Sequence, residues 1–399
     1  MAKAKKILKI IANIVLLFVS VIGGFFVLLM NAFSLYGLEI AAMFVMALLL
    51  MFLLVNAQKK TCFFKFALSV LIAGLILTGS VIGFKEYRRS IPVVTDRGSM
   101  LREYDPFEED TQAVLLSEKS TLFLDYPQAS GIRLNGATAL YPVYASFVRN
   151  VFEPTNGYYR YANNASNNLQ CSGTKYAFEE LIAGEADIIF CAAPSEKQLK
   201  AAEDAGMQFH MHKIGMEAFV FFVNSENPVE ELTVDEIRAI YSGKITNWKE
   251  LGGKNRRILP YQREEGSGSQ TAMLSFMNSE ELIEPKTEEV IADMGGIIQR
   301  VADYRNHTGA IGYSFRFYSN EMVGNKQIRL LKLNGIEANE ETIRSGKYPI
   351  SDYFYAITAS KIGEPAPEEN DPILRAFLEW IKGEQGQKII DEVGYVSIY

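Results

Sequence analysis

Three stretches of the chain set glycine beside a hydroxyl residue just ahead of an apolar-periodic run: Asn135-Gly136-Ala137-Thr138, Ser172-Gly173-Thr174 and Arg263-Glu264-Glu265-Gly266-Ser267-Gly268-Ser269. Each reads as the start of a helix. The first four N–H groups of a helix have no partner within it and sit at the positive end of its dipole, so small residues there leave donors open to an anion. Glycine with Ser or Thr before a helix is also ordinary capping chemistry, and one such junction alone specifies nothing. The third stretch is more particular. Two glycines, two serines, two acids and an arginine make a poor helix interior and a poor strand. Arg263 adds a planar fork of donors suited to phosphate or carboxylate. Three such junctions in one domain predict a cage for an oxyanion.

Rival chemistries find fewer residues. Ser267 and Ser269 as nucleophiles of a serine-dependent hydrolase would need a Gly-x-Ser-x-Gly elbow, which is missing around them, and the chain has only three histidines. His210-Met211-His212 places two imidazoles on one strand face, but no nearby cysteine or third histidine completes a metal site, so both read as solvent-facing strand residues. Tyr158, Tyr159 and Tyr161 read as packing aromatics rather than a sugar or peptide site. No P-loop or dinucleotide fingerprint is present, and no cofactor is expected.

Residues 1–90 carry ten Lys or Arg and two acids, a net of +8, which leaves −15 for residues 91–399 out of the total of −7. An acidic body of this kind is not a nucleic-acid binder, which needs an extended basic face. It can still hold a small anion, because buried donors act at contact range while surface charge is screened within roughly 8 Å. Among the three cysteines, Cys171 and Cys191 fall at the expected ends of two strands. With a third strand between them they would stand nearly 10 Å apart, beyond disulfide reach.

The elements that must position the cage read as an α/β pattern. Strands at Thr121–Leu124, Ile132–Leu134 and Ala186–Phe190 interleave with helices at Pro142–Val151 and Tyr176–Ile182, which predicts a largely parallel sheet with ligands outside the carboxyl ends of its strands. Phe219–Val223 is an apolar strand ending in a turn cluster suited to a domain crossing. A second α/β pattern follows: a helix to Tyr241 capped by Thr233 with Glu236 in the reciprocal position, strands at Ile258–Pro260 and Gly309–Tyr313, a strand at Tyr353–Ile357, and closing helices at Asp371–Lys382 and Gln385–Val393. Two lobes joined by two hinge crossings are expected, lobe 1 from 120–224 and 350–399 and lobe 2 from 225–349.

Ahead of this domain lie three apolar segments, at about 7–33, 38–57 and 66–84, long enough together to predict a membrane anchor of three transmembrane helices. Lys3, Lys5 and Lys6 precede the first, and Lys59, Lys60 and Lys65 follow the second. Keeping these inside delivers the C-terminal domain to the outer face, a multi-pass cell-membrane protein. Residues 91–119 read as a juxtamembrane connector.

The glycine-hydroxyl stretches, together with Gly184-Glu185-Ala186-Asp187-Ile188, Ile240-Tyr241-Ser242-Gly243-Lys244-Ile245-Thr246-Asn247-Trp248, Gly309–Tyr313, Gly386-Gln387-Lys388 and Val393-Gly394-Tyr395-Val396, resemble the phosphate-binding receptor proteins of ABC importers, in the periplasmic-binding-protein class. The resemblance runs from Gly131 to the C-terminus. It implies a non-enzymatic, two-lobed receptor that delivers phosphate to an ABC permease. It also implies that Thr138, the Ala139 N–H and Ser172 grip the anion from one lobe and Arg263, Ser267, Gly268 and Ser269 from the other, with Glu265 holding the arginine. One position departs. Receptors of this family carry an aspartate that accepts the proton of hydrogen phosphate, and Ala192 stands at its place in Cys191-Ala192-Ala193-Pro194. A site without that carboxylate loses its bar against sulfate, unless Glu217 or backbone carbonyls accept instead. The anchor leaves a second reading, an anion sensor that passes lobe closure to its membrane helices.

Overall fold

The computed structural model describes residues 101–129, 131–153, 168–285, 290–291, 308–322 and 327–399, with scattered positions between Ile7 and Gly83. The chain forms two compact units, Met1–Val93 and Val94–Tyr399. In the first, every described position is helical, and Ile7, Ile11, Val45, Phe52, Ile72 and Ile76 expose their apolar side chains. The Thr78 and Ser80 hydroxyls donate to the carbonyls of Gly74 and Ile76, both at 2.8 Å. Among the described residues no helix is long and apolar enough to cross a membrane. The spans expected over 7–33, 38–57 and 66–84 lie largely outside the described residues, as do Tyr158, Tyr159 and Tyr161.

The second unit is built on β-strands β1 (Leu134–Gly136), β2 (Ile188–Ala192), β3 (Met207–Asn224), β4 (Glu231–Leu232), β5 (Leu259–Pro260), β6 (Gln262–Arg263), β7 (Val290–Ile291), β8 (Ala310–Phe315), β9 (Ile328–Leu330), β10 (Lys332–Leu333), β11 (Ser351–Lys361) and β12 (Val396–Ser397). Eight of them form one sheet in the order β1-β2-β11-β3-β8-β5, with β12 and β9 also paired to β3. The helices that matter below are α1 (Tyr141–Val151), α2 (Thr174–Ala183), α3 (Glu196–Asp204), α4 (Val234–Tyr241), α5 (Gly268–Met277), α6 (Pro372–Lys382) and α7 (Glu384–Val393).

The sheet is mixed rather than largely parallel. β1 with β2 and β5 with β8 are parallel, but β3 runs antiparallel to β11 and β8. β3 takes the chain from one lobe to the other and β11 brings it back, so these two must run in opposite senses. Thr121–Leu124 makes no strand, only a bridge from Leu124 to Phe152.

Local chemistry sets the helix ends. Thr233 and Glu236 cap α4 reciprocally: Thr233 N donates to Glu236 Oε2 at 2.7 Å and Glu236 N to Thr233 Oγ1 at 3.2 Å. Ser195 and Gln198 do the same for α3. The two larger of three buried clusters fill the lobes. One gathers Tyr144, Phe147, Phe190, Phe377 and Trp380 around α1, α6 and α7, and the other gathers Phe219, Phe221, Ile237, Tyr241, Trp248 and Tyr313. Trp248 Nε1 donates to Gly309 O at 2.9 Å, which satisfies its one polar atom in the core. Residues 101–116 lie along the first lobe. Leu101 and Leu116 join its core, and Val114 N and Leu116 N donate to Ser146 Oγ and Asn150 Oδ1, both at 2.9 Å.

One expectation changes once the covering elements are seen. His210 and His212 do not face solvent. Residues at and beyond the end of the neighbouring β11 reach that face: His210 Nε2 meets Ser360 Oγ at 2.8 Å, and His212 Nε2 meets Glu368 Oε1, in the short helix Pro367–Asn370, at 2.7 Å. Burial lowers the His212 pKa, with Glu368 pulling the other way. Cys171 and Cys191 are buried and form no disulfide, as expected. β1 lies between their strands, pairing at Leu134 with both Leu169 and Ile188.

β3 spans 18 residues, against about five or six for an ordinary strand, because it belongs to both lobes. Its first part pairs with β11 and its last with β8, and Glu217 sits at the changeover. Glu217 is 6% exposed, accepts from Ala218 N at 2.8 Å and Phe317 N at 3.1 Å, and lies 3.5 Å from Arg316 Nε. Arg316 in turn donates to Gly394 O. Burial pushes the Glu217 carboxyl up to about 7, against the opposing pull of Arg316 and the two N–H groups.

Two outcomes follow for stability. Between the ordinary glutamate value of 4.5 and about 7, the folded state holds more proton at Glu217 than the unfolded chain does. Stability is therefore fully present below that interval and falls through it as pH rises, by at most about 3 kcal/mol. Urea titrations from pH 4.5 to 7.5 should show this fall in the parent and a flatter profile in Glu217→Gln; parallel profiles would contradict the assignment. At Gly386, a Cβ would press on the Ile381 carbonyl and stand 2.5 Å from its Cα, and backbone cannot move aside as a side chain can. Gly386→Ala is expected to cost about 1–3 kcal/mol in the same assay, and an unchanged midpoint would mean that the α6–α7 junction yields freely.

Candidate anion-binding site

The site starts from β1. Asn135, 1% exposed in the middle of this three-residue strand, accepts at Oδ1 from Gly136 N at 2.7 Å and Ser172 N at 2.9 Å. Its Nδ2 donates to Ser172 Oγ at 2.8 Å and to Glu180. One buried amide therefore fixes two of the three loops against each other. Gly173 N adds a bond to Gly136 O at 3.1 Å, and Cys171 Sγ lies 3.9 Å from Thr138 Oγ1. Thr138 and Ala139 open a short 3-10 turn that runs straight into α1, with no side-chain cap on its first residue. The Ala139 carbonyl is held by the Tyr395 hydroxyl.

α2 begins at Thr174 after Gly173, whose φ of 93° lies in the left-handed region and whose lack of a side chain leaves the helix end without a cap. α5 begins at Gly268 in the other lobe. A Cβ on Gly268 would come within 3.0 Å of Thr174 Oγ1, so the positive ends of two ten-residue helices from opposite lobes stand in contact. Like ends of two dipoles repel at that range, and an anion beside them turns the repulsion into attraction.

Arg263 lies in β6 and is 6% exposed, its N–H donating to Gln270 Oε1 and Tyr313 Oη at 3.0 Å each. The Tyr313 hydroxyl is bonded to Gln270 as well, and burial raises its pKa, so it stays a neutral donor. Ser269 is 1% exposed, and its hydroxyl has no hydrogen-bond partner among the described residues. A buried hydroxyl left open is costly unless something pairs with it. Ser267 is engaged within its own turn, where its Oγ accepts from Gln270 N at 3.2 Å and donates to Glu264 O at 3.0 Å, which caps α5.

Of the residues picked from the sequence, Thr138, Ala139 and Ser172 stand together in the first lobe, and Gly268, with Ser269 next to it, faces them from the second. Glu265 is placed elsewhere. Its carboxylate is exposed and pairs with Lys197 Nζ of the first lobe at 3.0 Å. Arg263 extends from a strand into the interior, while the turn that begins after it carries Glu265 out to solvent. Ala192 ends β2 beside the cleft, and Glu217 serves the hinge. Sequence reasoning passed over Asn135, Thr174 and Lys197 as working parts. A buried Asn beside Gly136 in an apolar strand was a readable signal, whereas nothing in the order of residues brings Lys197 to Glu265.

The cleft between the lobes holds a cavity of about 460 Å³ whose lining includes Ala137, Ala139, Thr174, Ala192 and Gly268. Among the described residues no group of three His, Cys, Asp or Glu side chains is placed to hold a metal.

Comparison with known proteins agrees with this architecture. Residues 124–384 match the PBP superfamily domain. The phosphate-binding protein PstS of Bacillus subtilis (strain 168) is 24% identical over 279 residues, 68% of this chain and 82% of that protein. The phosphate-binding protein PstS of Staphylococcus epidermidis (strain RP62A) is 26% identical over 233 residues, 57% of this chain and 68% of that one. The crystal structure of an ABC-type phosphate transport receptor from Vibrio cholerae covers 66% of this chain and 99% of its own, at 21% identity and a TM-score of 0.48. With its matching segment covering well over half its length, the chain belongs to the PBP superfamily.

Proposed function

We propose that this protein is a membrane-anchored, extracytoplasmic solute receptor that binds phosphate, or a closely similar tetrahedral oxyanion, for import by an ABC permease. The observation that carries the reading is the meeting of the α2 and α5 N-termini from opposite lobes, with the buried Ser269 hydroxyl left open beside them. Thr138, the Ala139 and Gly268 N–H groups, Ser172, Ser269 and the Arg263 guanidinium grip the anion, and Ser267 holds α5 in place. Four or five charge-assisted hydrogen bonds at roughly 1.5–3 kcal/mol each, less the cost of ordering the lobes, give an affinity near −8 kcal/mol, about micromolar. The curated relatives named above as phosphate-binding proteins support this ligand. The protein binds and releases without covalent chemistry.

The anchor is supported by the apolar sequence of residues 7–33, 38–57 and 66–84 and by the exposed apolar side chains at their described helical positions. The hydroxyl bonds of Thr78 and Ser80 to carbonyls four residues back are how such groups are satisfied where water is missing.

Titration calorimetry of the detergent-solubilised full chain tests the ligand. Phosphate is expected to bind the parent, and Arg263→Ala about 100-fold more weakly, or about 2.7 kcal/mol. Equal binding by the variant would remove Arg263 from the site. The anchor is tested by fractionation: the full chain should stay with membranes through a high-salt wash, and external protease should digest residues 101–399 in intact spheroplasts. Release by salt, or protection from protease, would contradict the topology.

A further inference from the structure

The two lobes already touch, at Thr174 against Gly268 and through the Lys197–Glu265 pair at 3.0 Å, yet the cleft stays open inside. The space there is about 460 Å³. A bare tetrahedral oxyanion takes the room of roughly two waters, about 60 Å³ at ~30 Å³ each. The remaining space is several times larger than the anion, and its walls are largely apolar, with Leu140, Phe276, Phe315, Ile350 and Tyr353 among them. A site made only for an inorganic ion has no use for an apolar chamber, which would hold water against hydrocarbon.

The polar groups in the chamber agree. Hydrogen phosphate carries a proton that needs an acceptor, and the loop beside the helix ends offers Ala192, Ala193 and Pro194. Of the two carboxylates in the lining, Glu217 is buried and accepts from Ala218 N and Phe317 N, and Asp352 lies exposed at the rim, accepting from Tyr353 N at 2.7 Å. A phosphomonoester has its second pKa near 6, so at neutral pH its three terminal oxygens are mostly unprotonated and ask only for donors. The helix ends at Thr174 and Gly268, both in the lining, provide donors.

We propose that the cleft takes a phosphomonoester with a small organic substituent, its phosphoryl group at the α2 and α5 N-termini and its substituent in the apolar chamber lined by Leu140, Phe276 and Ile350. This rests on the oxyanion-receptor reading above and narrows its ligand class. Ligand sites of a few hundred cubic ångströms, apolar with a few convergent polar groups, suit such organic anions.

Calorimetry on the solubilised full chain with inorganic phosphate, phenyl phosphate and phenol at pH 7.5 decides it. The expected result is phenyl phosphate binding at least about tenfold more tightly than phosphate, since the ring leaves water on binding, with no binding of phenol. Ala272→Leu, which fills the chamber from α5 without touching a donor, should abolish that advantage and leave phosphate affinity within about twofold. If this variant unfolds, the comparison on the parent protein stands alone. Phosphate binding as tightly as phenyl phosphate, or more tightly, would overturn the inference and leave the phosphate receptor intact. Binding of neither would overturn the receptor reading itself.

Discussion

Two helices, one in each lobe, point their positive ends at each other across the cleft at Thr174 and Gly268. Left alone, that arrangement is unfavourable, and most of the local structure serves to hold it in place. Asn135 ties the Gly136 and Ser172 loops into one piece, Ser267 caps α5, and Gln270 and Tyr313 fix the backbone of Arg263. An anion between the lobes turns the opposed dipoles into the strongest reason for the lobes to stay together. In the receptor we propose, affinity and closure would be one event, as expected when a ligand interacts differently with open and closed states.

The hinge has matching chemistry. β3 is shared by both lobes, and the Glu217 carboxylate at its midpoint touches β8's exit through Phe317 N and Arg316, while Arg316 reaches Gly394 beyond α7. A buried pair of this kind is costly to desolvate and expensive to break, which fits a joint that bends about one place more than a source of net stability. The Lys197–Glu265 contact at the cleft mouth is exposed on both sides and contributes little beyond favouring the closed register.

Much of this was legible from residue order. The cap at Thr233, the helices ending at Val151, Tyr241, Lys382 and Val393, and the strands near Ile188, Ala310 and Tyr353 all follow from local rules, since hydroxyl caps and apolar periods are written within a dozen residues. The oxyanion cage was expected chiefly from Arg263–Ser269, which makes both a poor helix interior and a poor strand, since the other two glycine-hydroxyl junctions are also ordinary capping chemistry. What could not be read depends on residues far apart. The length of β3 and the partial burial of His210 and His212 come from β11 and the helix after it, some 150 residues later. The antiparallel pairing follows from lobe crossings, not from strand composition. The family resemblance implied Glu265 as the partner of Arg263, but the turn between them sends it to Lys197.

The central claim is that an anion sits where the two helix ends meet. Crystals of the full chain grown in phosphate give the most direct test. The expected result is tetrahedral density within about 3 Å of the Ala139 and Gly268 N–H groups, the Ser269 hydroxyl and the Arg263 guanidinium. An empty cleft, or an anion bound elsewhere with the α2 and α5 ends facing only water, would contradict it.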